Sequence, residues 1–376
     1  MYPERFERLY QSMHSAPAGA QLDAQFDAIA LNPGSTLAYL SGLSFHLMER
    51  PVVLLIAPGQ TPGLVLPELE IIKAQTGPVH VQTFTYNDNP ASWPAAYAQA
   101  AETMQLAGKR IGVEPEHMRF LELSYLEAAM PGAKFISASP ILSPLRMRKD
   151  KAEVDAMRQA VHIAQQALQA TLPMIKPGVT EREIASELMI QLMRAGNDDE
   201  MPFLPIVSGG PHSADPHAVP TDRPVQRGDL LVIDWGAMYH GYISDLTRTF
   251  AVGEVEPEYH RIYELVKLAN ETGRAAGRPG IAAGEVDHAA REVIEDGGYG
   301  VYFTHRVGHG IGKEGHEPPY MFGENPLILQ PGMAYTVEPG IYLPGRGGVR
   351  IEDDMVVTEN GAETLSDLPR ELITLG

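Results

Sequence analysis

The stretch "LLVIDWGAMYHGYISDLTRTF", residues 230–250, constrains the fold more than any other, because it sets two acids among residues typical of buried strands. Asp234 closes the apolar run "LLVI", and Asp245 precedes the strand-like sequence "LTRTF". Ionised carboxylates are rarely buried without a partner. A hairpin turning at Tyr239 and His240 would place the two aspartates opposite each other, where like charges destabilise the pairing. Either one aspartate is protonated, or a cation lies between them.

A second pair of acids follows about a hundred residues later. The segment "KPGVTEREIASELMIQLMRAG" from Lys176 resembles "RPGIAAGEVDHAAREVIEDGG" from Arg278, at an offset of 102. At an offset of 104, Asp234 aligns with Glu338, and Glu352 completes a second hairpin around "PGRGG". Each half is thus predicted to contain a helix, a connection and a strand hairpin with two acids. This pattern predicts a domain with pseudo-two-fold symmetry in which four carboxylates converge.

Four converging carboxylates indicate more than one divalent cation, since hydrogen bonds could satisfy one acid pair but hardly two. The segment "THRVGHGIGKEGHEPP" adds His305, His309 and His316 among four glycines, and "GGPHSADPHAVPTDRP" adds His212 and His217 in a predicted loop. Ligation by oxygens and one nitrogen suits manganese, zinc, cobalt or iron better than calcium. Two such ions activate a shared water at neutral pH, so the predicted reaction class is hydrolysis.

Composition narrows the class of protein further. The formal net charge of −19 argues against a nucleic acid or an anionic membrane as partner. The chain has no cysteine, which excludes disulfides and thiolate metal sites. The N-terminal sequence "MYPERFERLYQSMHS" lacks the apolar core of a signal peptide, and the longest apolar runs are only strand-length. We therefore expect a soluble, cytoplasmic protein.

The chain of 376 residues favours two domains. Residues 1–140 alternate short strand patterns, such as "PVVLLIA" and "GLVLP", with helical ones, which predicts a smaller α/β domain. Residues 141–376 form the predicted second domain, and the proline-containing segment 137–150 is the predicted linker. In the second domain, Thr180 and Glu183 form a capping-box signature, and Gly196 suits the end of the same helix.

Four segments together resemble the pita-bread metallopeptidases, which include Xaa-Pro dipeptidase (prolidase), aminopeptidase P and methionine aminopeptidase. They are "DWGAMYHGYISDLTRTF", "HRVGHGIGKEGHEPP", "TVEPGIY" and "VRIEDD". The resemblance covers residues 149–376, and residues 1–140 resemble the smaller N-terminal domain of the proline-specific members. It implies an α+β fold with a pita-bread (creatinase/aminopeptidase-like) catalytic domain behind an α/β (creatinase-like) N-terminal domain. It also implies a homodimer.

The resemblance further implies a set of five metal ligands. Asp234 would chelate one ion, and Asp245 and Glu352 would bridge the two ions. His309 and Glu338 would complete the coordination of the second ion. The expected cofactors are therefore two divalent metal ions per chain, of manganese, cobalt or zinc.

The same resemblance implies roles for residues around the metals. Glu338 would handle protons of the bridging water, and His217 and His316 match positions that contact substrate or stabilise the intermediate. His305 and Arg350 match further positions in the substrate pocket. For these two an alternative stays open, in which Arg350 serves only to neutralise the acids and His305 serves only in packing.

The implied activity is that of an exopeptidase that cleaves the bond before proline in di- or oligopeptides through a metal-bridging hydroxide. Xaa-Pro dipeptidase is slightly favoured over aminopeptidase P. A non-peptide amide or amidine hydrolase similar to creatinase, or a metal-free binding homologue, remains an alternative. Methionine aminopeptidase fits less well, because this chain has an additional N-terminal domain and the segment "SADPHAVP".

Overall fold

The computed structural model describes residues 2–14 and 25–376, and the chain divides into two compact units, Met1–Arg146 and Met147–Gly376. The helices of the described residues are α1 (Tyr2–His14), α2 (Ser35–Ser41), α3 (Ile71–Thr76), α4 (Trp93–Thr103), α5 (Phe120–Ala129), α6 (Ser139–Met147), α7 (Lys151–Thr171), α8 (Glu181–Ala195), α9 (Pro257–Ala276) and α10 (Ala283–Asp296). In this part of the chain, none of them is both long enough and apolar enough to cross a membrane.

The strands of the described residues follow the same chain order. They are β1 (Ala28–Leu31), β2 (Val53–Ile56), β3 (Gly63–Pro67), β4 (Gln82–Tyr86), β5 (Arg110–Val113), β6 (Lys134–Ser137), β7 (Ile206–Gly209), β8 (Leu230–Trp235), β9 (Met238–Tyr239), β10 (Tyr242–Ile243), β11 (Leu246–Val252), β12 (Gly308–Gly310), β13 (Glu317–Met321), β14 (Ala334–Val337), β15 (Gly340–Leu343), β16 (Gly347–Arg350), β17 (Asp353–Val357), β18 (Ala362–Thr364) and β19 (Ile373–Leu375).

The first unit is built on one mixed sheet in the strand order β4-β3-β2-β1-β5-β6. Successive residues of β1 alternate between two apolar cores, with Ile29 and Leu31 in one and Ala28 and Ala30 in the other. Helices cover both faces, so the central strands are apolar throughout, as in "VLLI" of β2. The predicted α/β character of this unit is confirmed.

The predicted linker at 137–150 is wrong, because helix α6 occupies most of it. Ile141, Leu142 and Leu145 are buried and pack into one of the cores of the first unit. Pro140 lies in the first helical turn, where the missing N–H costs nothing. The compact units meet at Arg146 and Met147, six residues beyond the predicted boundary, because this helix belongs to the first unit.

The second unit contains two larger sheets, each covered by its own pair of helices, and two two-stranded sheets, β9-β10 and β15-β16. The sheet β19-β11-β8-β7 shares a core with α7 and α8, and the sheet β13-β12-β14-β17-β18 shares a core with α9 and α10. Helix α10 begins 102 residues after α8, and β14 begins 104 residues after β8, as the internal repeat predicts. The predicted pseudo-two-fold arrangement of helices and hairpins is therefore present.

Helix α8 begins and ends at the predicted signals. The Thr180 side chain accepts from the Glu183 N–H while the Glu183 side chain accepts from the Thr180 N–H, which forms the predicted capping box. Gly196 ends the helix with φ of 102°, a left-handed conformation that favours glycine. The helix packs its apolar face, which includes Leu188, against the core that contains Trp235.

Two substitutions in α8 test how far burial in this core stabilises the second unit. Leu188 is completely buried, whereas Ile190 of the same helix is 47% exposed. Leu188→Ala should lower the free energy of unfolding by ~2–5 kcal/mol, since it removes buried methyl groups and leaves a cavity. Ile190→Ala should change it by less than ~0.5 kcal/mol. Urea unfolding in a Trp93→Phe background, followed by the fluorescence of the remaining Trp235, measures both, and equal shifts of the midpoint would contradict this assignment of the core.

Candidate metal centre

The first acid hairpin has a different register from the predicted one. Asp234 pairs with Thr247, not with Asp245. The turn lies at His240 and Gly241, which both have positive φ, of 53° and 72°. Tight hairpin turns of this kind need positive φ at both central residues, and glycine at the second position meets that need. The shift amounts to two residues, so Asp245 stays on the face of Asp234, as residues two apart along a strand do.

The second acid pair lies where the two larger sheets of the unit meet. Glu338 follows β14 and Glu352 precedes β17, in a ladder that pairs Val337 with Asp353. Glu352 forms an isolated bridge with Thr247 of β11. Its N–H donates to the Thr247 carbonyl at 3.1 Å, and its Oε2 accepts from Thr247 Oγ1 at 2.7 Å. The bridge brings the acids of both halves to one place.

The five predicted ligands converge there. Three overlapping groups of side chains each hold potential ligand atoms within 4.8 Å of one another: Asp234, Asp245 and Glu352; His309, Glu338 and Glu352; and Asp245, His309 and His316. His309, on β12, places Nε2 at 3.4 Å from Glu338 Oε1 and 3.7 Å from Asp245 Oδ2. The fold thus brings together residues that lie up to 118 positions apart in the sequence, as Asp234 and Glu352 do.

The protonation state of His309 shows that the group fits a cation. His309 Nδ1 donates to the Gly310 carbonyl at 3.1 Å, since a carbonyl can only accept. Burial, and then the neighbouring His316, lowers the pKa of His309 to about 3, so the ring is neutral near pH 7. Nε2 therefore directs a lone pair toward two carboxylates. Acceptors facing acceptors in a buried place need a proton or a cation between them, and the overlapping groups of ligand atoms suit a cation.

The acids lead to the same conclusion. Burial, and then neighbouring carboxylates, raises the pKa values of Asp245 and Glu352 well above the usual range. Burial also raises the pKa of Glu338, to about 8, although Arg350 opposes the rise. Asp234 Oδ1 is buried and has no hydrogen-bond partner in the described structure. These oxygens and the His309 nitrogen match the ligand preferences of manganese, cobalt or zinc.

Arg350 is almost fully buried beside the acids and has three side-chain partners. Its Nη2 donates to Asp234 Oδ2 at 2.6 Å, its Nη1 to the Tyr342 hydroxyl at 2.9 Å, and its Nε to Thr247 Oγ1 at 3.2 Å. These contacts support the neutralising alternative for Arg350. Contact with substrate stays a prediction for this residue.

His305 belongs to the same hydrogen-bonded chain as Arg350. Its Nδ1 donates to the Arg306 carbonyl at 2.8 Å, so its Nε2 accepts from the Tyr342 hydroxyl at 3.0 Å. Burial lowers the pKa of His305 to about 4 and raises that of Tyr342 to about 12. The chain Arg350–Tyr342–His305 is therefore neutral except at the guanidinium.

Two of the remaining predicted histidines, His316 and His217, lie at the exposed side of the centre. The His316 ring lies against that of His309, with centroids 3.8 Å apart and ring planes tilted by 36°. His217 is exposed, and it is close enough to His305 and His316 for its charge to lower the pKa of both. His212 lies apart from the acids and bonds to Glu181 instead.

The sequence interpretation did not include Thr247 or Tyr342, each of which contacts two of the residues above. Thr247 lies two residues after Asp245 and therefore on the same strand face, which is the signal that could have identified it. Tyr342 lies in β15 and carries no comparable pattern. Its role depends on the side chains that surround it in the fold.

Comparisons with known proteins support one family. The description "Creatinase/Prolidase N-terminal domain" matches residues 20–148, and "Metallopeptidase family M24" matches residues 155–359. A probable dipeptidase, PepE, from Mycobacterium tuberculosis is 36% identical over 100% of this chain and 99% of its own length. The structure of an Xaa-Pro dipeptidase from Bacillus anthracis is 33% identical, with a TM-score of 0.89 over 100% of both chains. That of an X-Pro aminopeptidase from Thermotoga maritima is 30% identical, with a TM-score of 0.85 over 98% of this chain and 99% of that chain.

These matches agree with the architecture and with the convergence of acids and histidine. The M24 description alone covers more than half of the chain, and the relatives align over its full length or nearly so. The predicted pita-bread domain and the predicted N-terminal domain are both confirmed. The chain therefore belongs to metallopeptidase family M24 and is a metallopeptidase with a pita-bread catalytic unit.

Proposed function

We propose that the protein is an Xaa-Pro dipeptidase that uses two divalent cations, held by the five residues named above. The observation that carries the proposal is the convergence of four carboxylates and a neutral imidazole, each a competent ligand, within 4.8 Å of one another in overlapping groups. Asp245, Glu352 and His309 each belong to two of these groups, and of these three the two carboxylates, each with two oxygens, suit the predicted bridging role. The substrate class comes from relatives named Xaa-Pro dipeptidase in full-length matches.

When bound, the cations would polarise the scissile carbonyl and lower the pKa of water so that it attacks at neutral pH. The residues of the chain would do the rest. Glu338, at the edge of the ligand groups, would take the proton that water loses. Arg350 and Thr247 would hold the carboxylates of Asp234 and Glu352 in orientation through the hydrogen bonds described above.

The exposed histidines would act on the substrate. The bond before proline is a tertiary amide, and its nitrogen carries no hydrogen, so the leaving amine must be protonated as the bond breaks. His316, beside His309 and open to solvent, would move that proton. His217 faces the same side and would donate a hydrogen bond to the tetrahedral intermediate.

Substrate length separates the two proline-specific alternatives. We expect kcat/KM for an Xaa-Pro dipeptide to exceed that for the matched Xaa-Pro-Yaa tripeptide by about tenfold or more, a difference of ~1.4 kcal/mol. Both peptides are assayed with manganese, cobalt and zinc in parallel, with the Xaa-Ala dipeptide as control and creatine as the non-peptide alternative. The reverse preference would indicate an X-Pro aminopeptidase, and hydrolysis of creatine alone would refute the peptidase proposal.

The bridging role of Asp245 is tested by removing one charge. Asp245→Asn should lose metal and activity together, by more than the ~10–100-fold that removal of a supporting partner costs. Metal per chain is measured by plasma mass spectrometry, beside the hydrolysis rate. Asp222→Asn is the matched control, because Asp222 is exposed and its ion pair in the described structure is with the surface residue Arg182. Retention of both metal and activity in Asp245→Asn would contradict the assignment.

His217→Ala should separate metal binding from activity, in contrast to Asp245→Asn. The metal content should stay at the wild-type value, because His217 belongs to none of the three ligand groups in the described residues. The rate should fall by ~10²–10⁴-fold, the usual contribution of a positioned acid–base group. Loss of metal in this variant would place His217 among the ligands instead.

The raised pKa of Glu338 predicts a pH dependence for protein stripped with a chelator. Between pH 4.5, the ordinary value, and about 8, the folded state keeps a proton on Glu338 that the unfolded chain has lost. The free energy of unfolding should therefore fall as pH rises through this window. Glu338→Gln should make the decline shallower in urea titrations of the metal-free protein. An unchanged slope would assign the proton to another group.

The homodimer and the cytoplasmic location stay predictions from the sequence. The identity of the metal is likewise open to the parallel assays, because metal loading depends on availability as well as affinity.

A further inference from the structure

Glu181 is a completely buried acid that takes no part in the metal centre. It is the first residue of α8, and its carboxylate accepts hydrogen bonds from four donor groups, of which His212 Nδ1 contacts both oxygens. Oε1 accepts from the Gly209 N–H at 2.8 Å, and Oε2 accepts from His212 Nδ1 at 2.9 Å. Oε2 also accepts from the Thr221 N–H at 3.0 Å and from Thr221 Oγ1 at 2.7 Å. A buried carboxylate so fully satisfied orders the groups that donate to it.

All four donors belong to residues 209–221, here called the His217 loop. Gly209 and Thr221 are its two ends, so the single carboxylate of Glu181 bonds to both ends of the loop. The first turn of α8 adds two backbone bonds, from the Glu181 N–H to the Arg223 carbonyl at 3.1 Å and from the Arg182 N–H to the Thr221 carbonyl at 3.0 Å. These are N–H groups that a helix leaves without partners of its own.

The body of the loop is also held against β16. Ser213 Oγ accepts from the Gly348 N–H at 2.8 Å, and a Cβ at Gly348 would lie 2.2 Å from the Ser213 carbonyl oxygen. Beyond Ser213, the Asp215 side chain accepts from the His217 N–H at 3.0 Å. His217 itself is exposed. Its position toward the centre therefore depends on the backbone of the loop and not on packing of its ring.

We propose that Glu181 is a positioning residue that acts through His217 by holding both ends of the His217 loop. Residues 210–223 lie outside the named strands, so no sheet ladder fixes their backbone. Hydrogen bonds to the carboxylate of Glu181 hold the two ends of this loop together instead. The proposal rests on the proposed role of His217 in the reaction.

Glu181→Gln tests the proposal with little change in volume. The amide keeps one acceptor but sets N–H groups against donors at the other position. Amide hydrogen exchange of the His217 loop should become about tenfold faster, with the metal content unchanged. Exchange in α10 is the internal reference. Glu183→Gln is the matched control, because Glu183 caps the same helix and bonds to Thr180, outside the loop, so loop exchange should stay at the wild-type rate.

The kinetic test is a double-mutant cycle with His217→Ala. Glu181→Gln alone should lower kcat/KM for the Xaa-Pro dipeptide by ~10–100-fold, the cost of misplacing a group by about 1 Å. It should divide that loss between kcat and KM as His217→Ala does. In the His217→Ala background, the same change should cost less than about twofold, since the group that it positions is gone.

Equal losses in both backgrounds, or unchanged exchange in the loop, would overturn the proposal. If Glu181→Gln does not fold, Thr221→Val supplies the same two measurements, because it deletes one donor and leaves the buried carboxylate in place. If the wild-type protein cleaves no proline peptide, the proposed function fails. Loop exchange still decides whether Glu181 holds the loop, so the two failures are distinguishable.

Discussion

The structure of the second unit depends on one electrostatic constraint: four carboxylates and a neutral imidazole share a mostly buried space. Without a cation these groups repel one another unless some of the acids keep a proton, because ionised acids and lone pairs all present negative charge. Burial makes that repulsion stronger, since water no longer screens it. This repulsion destabilises the folded state, and such an arrangement is typical of a site that a bound ligand stabilises.

The hydrogen bonds around the acids hold them in place against this repulsion. Arg248, buried behind the centre, donates through Nη1 to the Thr247 and Glu352 carbonyls at 2.8 and 2.7 Å. Its Nη2 donates to Asp353 Oδ1 at 2.8 Å. Arg350 forms an ion pair with Asp234 and neutralises its charge. Hydrogen bonds thus join the backbone and side chains of both halves of the second unit where the predicted ligands converge.

The two functions proposed for the site, metal binding and contact with substrate, have different structural supports. The ligand residues lie on or beside strands, whose ladders fix the backbone to within small tolerances. His217 lies in a loop outside the strands, and a buried carboxylate at the start of α8 closes that loop. A metal site needs a rigid frame, whereas a group that meets substrate can lie on a loop if the loop is anchored.

The sequence by itself determined the acid pairs, the internal repeat and the capping box of α8, because each depends on local spacing or on residue type. The residues that carry charge in the centre could be named for the same reason. It did not determine the hairpin register, since the turn takes its place from the positive φ of His240 and Gly241, one position beyond the predicted turn. Nor did it reveal that residues 139–147 form a helix, because Ile141, Leu142 and Leu145 find their core only in the folded first unit. Only tertiary structure decided which donors surround Glu181 and which acceptors surround Arg350, because those partners lie up to 116 residues apart in the chain.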